Sequence, residues 1–153
     1  MLVLTACPYK SKVPIGLPEE KIDKNLLGEW ISAADLEYDN PTYYIIKKFS
    51  KVKYSMTEMS YSSYDSTYTD TKYFIHSTTI GNRTFLNIQE QGGGDYHLHY
   101  ISMDDDEFEL FEVSENVDEQ FSTSSELKSF VEKNMEYSFF YTKGEARYIK
   151  KEK

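Results

Sequence analysis

From Leu26 onward, apolar and polar positions alternate with a period of two, as expected of strands that bury one face. Leu26-Leu27-Gly28-Glu29-Trp30-Ile31 opens a first predicted strand reaching about Tyr38, and Asp39-Asn40-Pro41 is a strong turn signal. Thr42 to Phe49 is rich in Tyr and Ile; after a short break, Val52, Tyr54 and Met56 alternate with Lys53, Ser55 and Thr57. The polar, Tyr/Ser/Thr-rich residues 60–70 read either as a long loop or as the exposed end of a hairpin. Further runs follow at Tyr73 to Ile80, Thr84 to Gln89, Tyr96 to Met103 and Phe108 to Val113, separated by Gly81-Asn82, Gly92-Gly93-Gly94 and Asp104-Asp105-Asp106. The chain resumes as Tyr137 to Tyr141, turns near Lys143-Gly144 and ends in Arg147-Tyr148-Ile149. About eight short strands bounded by turns predict an all-β antiparallel meander, built as a sandwich or a barrel.

One segment breaks the period. Thr123 followed by Glu126 forms a capping-box pattern, and Leu127, Phe130, Val131 and Met135 then fall on one helical face opposite Lys128, Glu132, Lys133 and Glu136. This predicts a single C-terminal helix packed across an opening or an outer face of the sheet.

Residues 8–24 behave differently again. They hold Pro8, Pro14 and Pro18, so neither helix nor ladder propagates well, and they read as a flexible tether reaching up to about 50 Å when extended. The division expected is therefore residues 1–6, residues 7–24 as a modified Cys and tether, and a barrel domain over residues 25–153.

Composition narrows the function. The chain has 153 residues, 17 basic against 26 acidic, and a net charge of −9, which argues against nucleic-acid binding and against electrostatic docking on anionic headgroups. One cysteine excludes a disulfide framework and a Cys-rich zinc site. No phosphate-cradling glycine loop or hydrolase motif occurs, and no cofactor or catalytic residue is expected, so the reading is of a protein that is not an enzyme.

The lone cysteine stands in Leu4-Thr5-Ala6-Cys7, which resembles the lipobox of bacterial lipoproteins. The resemblance implies cleavage after Ala6, with residues 1–6 as the remnant of a signal peptide, and acyl chains on Cys7 that anchor the protein in a membrane. Gly28-x-Trp30 on the first strand, the sequential meander and the late helix resemble the lipocalin and calycin group. The lipobox, tether, Leu26-x-Gly28-x-Trp30 pattern, Leu86-Asn87-Ile88 and Ser125 to Phe130 together resemble the lipocalin-like lipoproteins of Bacteroidetes. This resemblance implies an all-β, antiparallel up-and-down meander closing into a monomeric, roughly eight-stranded barrel able to enclose a small molecule, with Gly28 and Trp30 closing one end and Arg147 stacking on the Trp. It implies an envelope location at the outer membrane. The residues after Cys7 lack an acidic cluster, which favours a periplasm-facing domain over surface exposure.

Three functional classes stay open. The first is a lipid-anchored binder of a small amphipathic molecule or glycan. The second is an interaction or inhibitor module acting through the Tyr-rich 60–70 segment. For both, Tyr43, Tyr54, Tyr61, Tyr64, Tyr68 and Tyr73 are the candidate contacts, because a Tyr ring supplies apolar area and a hydroxyl together. The third is a zinc binder: His97 and His99, one residue apart on a strand, share a face, with His76 or a carboxylate as third ligand. The alternative for the histidines is a solvent-facing pair opposite a Tyr96, Leu98, Tyr100 core face. The run Asp104 to Glu107 reads as a solvated hairpin turn, since it lacks the spacing of a calcium loop.

Overall fold

A computed structural model of the chain describes residues 9–114, 116–142 and 146–151. Its strands are β1 (Lys10–Ser11), β2 (Gly28–Ser32), β3 (Tyr43–Lys48), β4 (Tyr54–Ser62), β5 (Thr67–Ile80), β6 (Arg83–Glu90), β7 (Tyr96–Asp104), β8 (Glu107–Glu112) and β9 (Ala146–Lys150), with one helix, α1 (Ser124–Asn134). From β2 to β9 each strand pairs antiparallel with the next, and β9 returns to pair with β2. The result is a closed eight-stranded barrel. Closure satisfies the edge hydrogen bonds that an open sheet would leave exposed.

The alternation seen in the sequence sets the inner face. Trp30, Ile46, Tyr54, Ile75, Leu86, Ile88, Ile101 and Phe108 pack inside, with Tyr44, Met56, Tyr73, Met103, Leu110 and Tyr148 around them. A second core lies outside the barrel. There Ile80, Phe85 and Leu98 of β5, β6 and β7 meet Leu127, Val131 and Met135 of the helix, together with Val113 and Phe140. These three strands are thus buried on both faces, which explains why their sequences carry apolar residues in both phases. Thr123 caps the helix, its hydroxyl accepting from the Glu126 N–H at 3.2 Å.

Two local expectations change, and one open alternative is resolved. The first strand stops at Ser32, because a 3-10 turn over Ala33–Asp35 breaks the extended backbone before the predicted turn. Residues 138–140 form a 3-10 turn, and only Tyr141 makes a bridge, to Val113. Residues 60–70 are the end of the β4–β5 hairpin, with Tyr61 directly opposite Tyr68. The turn expected near Lys143-Gly144 lies outside the described residues.

The expected free tether is, from Tyr9 onward, a strap laid over the barrel. Lys10 and Ser11 pair with His97 and Tyr96, at the end of β7 that β8 leaves uncovered. Ile15 is fully buried in the outer core, and its N–H donates to Asn87 Oδ1 at 2.7 Å. Glu20 accepts from the Thr79 N–H at 2.8 Å. The prolines that argue against a regular ladder do not prevent this, because beyond Ser11 the strap is held largely by side-chain hydrogen bonds, with Asn87 Oδ1 accepting from Ile15 N–H, His76 Nε2–H donating to Gly16 O and Glu20 accepting from Thr79 N–H. The chain then crosses the base of the barrel. Asp23 N–H donates to the Tyr54 hydroxyl at 2.6 Å, and Leu26 enters the interior beneath the Trp30 indole, whose Nε1–H donates to Leu26 O at 2.9 Å.

Candidate functional site

Eight inward-facing strand segments leave space between the plugged base and the opposite mouth. The interior holds a cavity of about 200 Å³. Its lower walls are apolar: Leu26, Ile46, Met56, Ile75, Leu86, Ile88, Phe108 and Leu110. Towards the mouth the same strands change character. Tyr44 on β3, Glu58 on β4, Tyr73 on β5, His97 and His99 on β7 and Tyr148 on β9 complete the lining. The site is an apolar pocket with polar groups gathered at one end, the general form of a small-molecule site.

The polar end divides into two sides. On one, the Tyr44 and Tyr148 rings meet edge to face with centroids 5.3 Å apart, and Tyr44 stands directly opposite Glu58 across β3–β4. Burial, the neighbouring Tyr148 and the Glu58 carboxylate hold the Tyr44 hydroxyl proton well beyond the usual tyrosine range. Burial and the same carboxylate also push up Tyr73 and Tyr148. On the other side, His99 Nε2 lies 3.6 Å from Glu112 Oε2, while His99 Nδ1 is buried without a hydrogen-bond partner among the described residues. Burial pushes His97 below its ordinary value, reinforced by His99 and Lys10 and opposed by Glu112 and Asp95. His99 holds the Glu112 carboxyl below the usual range.

The three histidines do not converge. His97 and His99 face the cavity, but His76 is on the opposite face of β5, where its Nε2–H donates to Gly16 O at 2.6 Å. The inward residues of β5 are Tyr73, Ile75 and Ser77, so position 76 is out of phase with them. Among the described residues, no group of three His, Cys, Asp or Glu side chains is placed to hold a metal ion. The zinc site over His76, His97 and His99 is therefore not formed. The solvent-facing alternative for His97 and His99 also fails, because both line the cavity and are only partly exposed.

The predicted aromatic contacts separate as well. Tyr73 lines the cavity, whereas Tyr54 lies at the base with its hydroxyl held by the strap. Tyr43, Tyr61 and Tyr68 stack on the outside of the barrel, with centroids 5.4 Å and 5.2 Å apart for the Tyr43–Tyr68 and Tyr61–Tyr68 pairs. Tyr64 stands at the hairpin turn, 99% exposed. The sequence reading did not single out Tyr44, Glu58 or Tyr148 as contacts. The signal was phase: Tyr44 shares its parity with Ile46, Glu58 with Met56, and Tyr148 with Lys150.

Trp30 closes the base as expected, fully buried and edge-on to Phe108 at 4.6 Å. Its cation is not Arg147, which is exposed, but Lys150, whose Nζ lies 5.3 Å from the indole. Lys150 is the register partner of Trp30 on β9, and three residues earlier the pleat has turned Arg147 to the outside. Gly28 has φ +138, and a Cβ there would come within 3.0 Å of Lys150 Cε. Its role at the base is to let that lysine lie against the strand.

Cys7 lies outside the described residues. Among those described, no helix is long and apolar enough to cross a membrane. No family model, no curated protein and no solved structure matches the chain. The fold and the cavity are thus the basis for any functional reading.

Proposed function

We propose that the protein is a non-enzymatic binding protein whose barrel takes up a small amphipathic molecule, apolar end first. The observation that carries this is the 200 Å³ cavity, apolar below and ringed above by tyrosines, histidines and Glu58. A dry apolar cavity of about 150 Å³ can hold benzene, and sites for drug-sized ligands start near about 300 Å³. A single ring or a short chain fits between these limits, with its polar end at the mouth. The apolar walls favour an amphipathic molecule over a glycan. Titration with benzyl alcohol, followed by ligand-observed NMR, tests the reading. Binding to the native protein and its loss in Ile88→Trp, which fills the cavity from one wall, is the expected result. Absence of binding by any single-ring probe, neutral or charged, to the native protein would overturn it.

We also propose, from the lipobox resemblance, that a monomeric lipocalin-like lipoprotein is attached through acyl chains on Cys7 to the bacterial outer membrane, facing the periplasm. With a net charge of −9, attachment would rest on the acyl chains rather than on basic residues. Cys7→Ser should move the protein from the membrane fraction to the soluble fraction of a bacterial host, and unchanged fractionation would refute the anchor.

A second reading, a partner-binding module, is favoured by one observation: Tyr64 projects fully exposed from a hairpin stiffened by the Tyr43, Tyr68 and Tyr61 stack.

A further inference from the structure

The polar end of the cavity has a definite sign. Among the described residues lining it, Glu58 is the single Asp, Glu, Lys or Arg. Its nearest recorded partner is weak, the Ser60 hydroxyl donating to Oε1 at 3.4 Å, and no salt bridge to it occurs among the described residues. Two described basic side chains close to the barrel are engaged elsewhere. Lys150 lies over Trp30 at the base, and Lys151 lies over Tyr43 on the outside, 3.6 Å from Glu29. A carboxylate at the rim of an apolar pocket, without a cation, leaves an electrostatic demand that a ligand can meet.

Three tyrosines line the cavity together with that carboxylate. Tyr44 is its cross-strand partner, Tyr148 meets Tyr44 at 5.3 Å, and Tyr73 lies on the neighbouring strand opposite Met56. All four side chains line the one cavity, Tyr44 and Glu58 as cross-strand neighbours. Tyrosine rings present negative π-faces to a cation, and such an arrangement with a carboxylate is the general means of holding an organic ammonium group. The tyrosines stay neutral here, so they add no competing anion for which a proton would be needed.

Resting on the reading of the barrel as a binding pocket, we infer that its ligand is an organic cation, a substituted ammonium carrying one ring or a short apolar chain. The ammonium sits among Tyr44, Tyr73, Tyr148 and Glu58, and the apolar part descends toward Ile88 and Phe108. His97 and His99, on the far side of the mouth with Glu112, Lys10 and Asp95 around them, do not contact the ammonium. They shape the opening and add repulsion only when protonated.

Three probes that share a ring and differ in head group test this: benzyltrimethylammonium, benzyl alcohol and benzoate, titrated into the full chain at pH 8. The cation should bind about 10- to 100-fold more tightly than the alcohol, in line with a desolvated charge interaction, and benzoate most weakly. In Glu58→Gln the cation should lose that advantage while the alcohol binds as before. Tyr44→Phe should retain most of the cation affinity, since the ring face is kept, and Tyr44→Ala should lose it. Equal binding of the cation and the alcohol by the native protein would overturn the inference and leave the pocket reading intact. Failure of all three to bind would overturn both. The native ranking requires no variant, so it stands even if Glu58→Gln folds poorly.

Discussion

Trp30 and Lys150 stand opposite each other across the β2–β9 closure, with Lys150 Nζ 5.3 Å from the indole ring. The pair joins the first and last barrel strands at the base, where the indole also fastens Leu26 through its Nε1–H. Removing the indole empties the most buried aromatic position in the barrel. Trp30→Ala should cost about 3–5 kcal/mol in urea unfolding. Lys150→Met, which keeps the aliphatic stem, should cost about 0.5–1 kcal/mol for the lost cation–π attraction. Arg147→Ala, on the outer face, should stay within about 0.5 kcal/mol of the native protein. A larger effect at Arg147 than at Lys150 would contradict the register.

Asn87 connects the strap to the barrel. It is fully buried on the outer face; its Oδ1 accepts from the Ile15 N–H, and its Nδ2 donates to His76 O at 3.1 Å and Thr78 Oγ1 at 3.0 Å. Asn87→Leu keeps the volume but leaves buried polar groups without partners, each worth about 1–3 kcal/mol. The expected outcome is a loss of about 2–4 kcal/mol and faster tryptic cleavage at Lys10 and Lys12. Unchanged cleavage would mean that packing of Ile15 and Tyr9 alone holds the strap.

Acid should weaken the fold in a defined window. Burial lowers His76 and His97 below their ordinary value of 6.5, so the unfolded chain takes up protons that the native state refuses. Their contribution is complete above about 6.5 and is lost as the pH falls through their folded values. Glu112, lowered from 4.5 mainly by His99, adds stability that is present above 4.5 and lost below it. Melting temperature measured from pH 8 to pH 4 should therefore decline from near 6.5 downward. His76→Gln, able to donate to Gly16 O without titrating, should flatten part of the decline between pH 6.5 and 5. A melting temperature that rises on acidification through this range would contradict the assignment.

The outer tyrosine stack belongs to the hairpin and not to the cavity. Replacing both Tyr61 and Tyr68 with Thr removes two edge-to-face contacts, each worth about 0.5–1.5 kcal/mol, while keeping residues suited to strands. Stability should drop by about 1–2 kcal/mol, and benzyl alcohol binding should stay as in the native protein. Loss of that binding would place the hairpin in the ligand site.

The binding site was only half legible before the fold. Period-two alternation gives the two faces of each strand, but it does not say which face looks inward when both carry apolar residues. On β7, Tyr96, Leu98 and Tyr100 are as hydrophobic as a core face should be, yet they belong to the outer core under the helix. The weaker-looking face, with His97 and His99, is the one that lines the cavity. Glu58 was hidden for the same reason: a Glu on a strand reads as solvated until closure places it among tyrosines.

The local order of the chain alone determined the succession of strands and turns and the capped helix with its Leu127 and Val131 stripe, because each depends on neighbours a few residues apart. Only the tertiary structure decided the rest. Register on β9 chose Lys150 over Arg147 for Trp30, since a pleat reverses side chains at every odd step. The pairing register of β5, β6 and β7 separated His76 from His97 and His99 by placing it in a row with Asn87 and Leu98 on the outer face. Long-range acceptors, above all Asn87, turned a proline-rich segment from an expected tether into a strap, an outcome that local propensity does not encode because the partner lies 72 residues away.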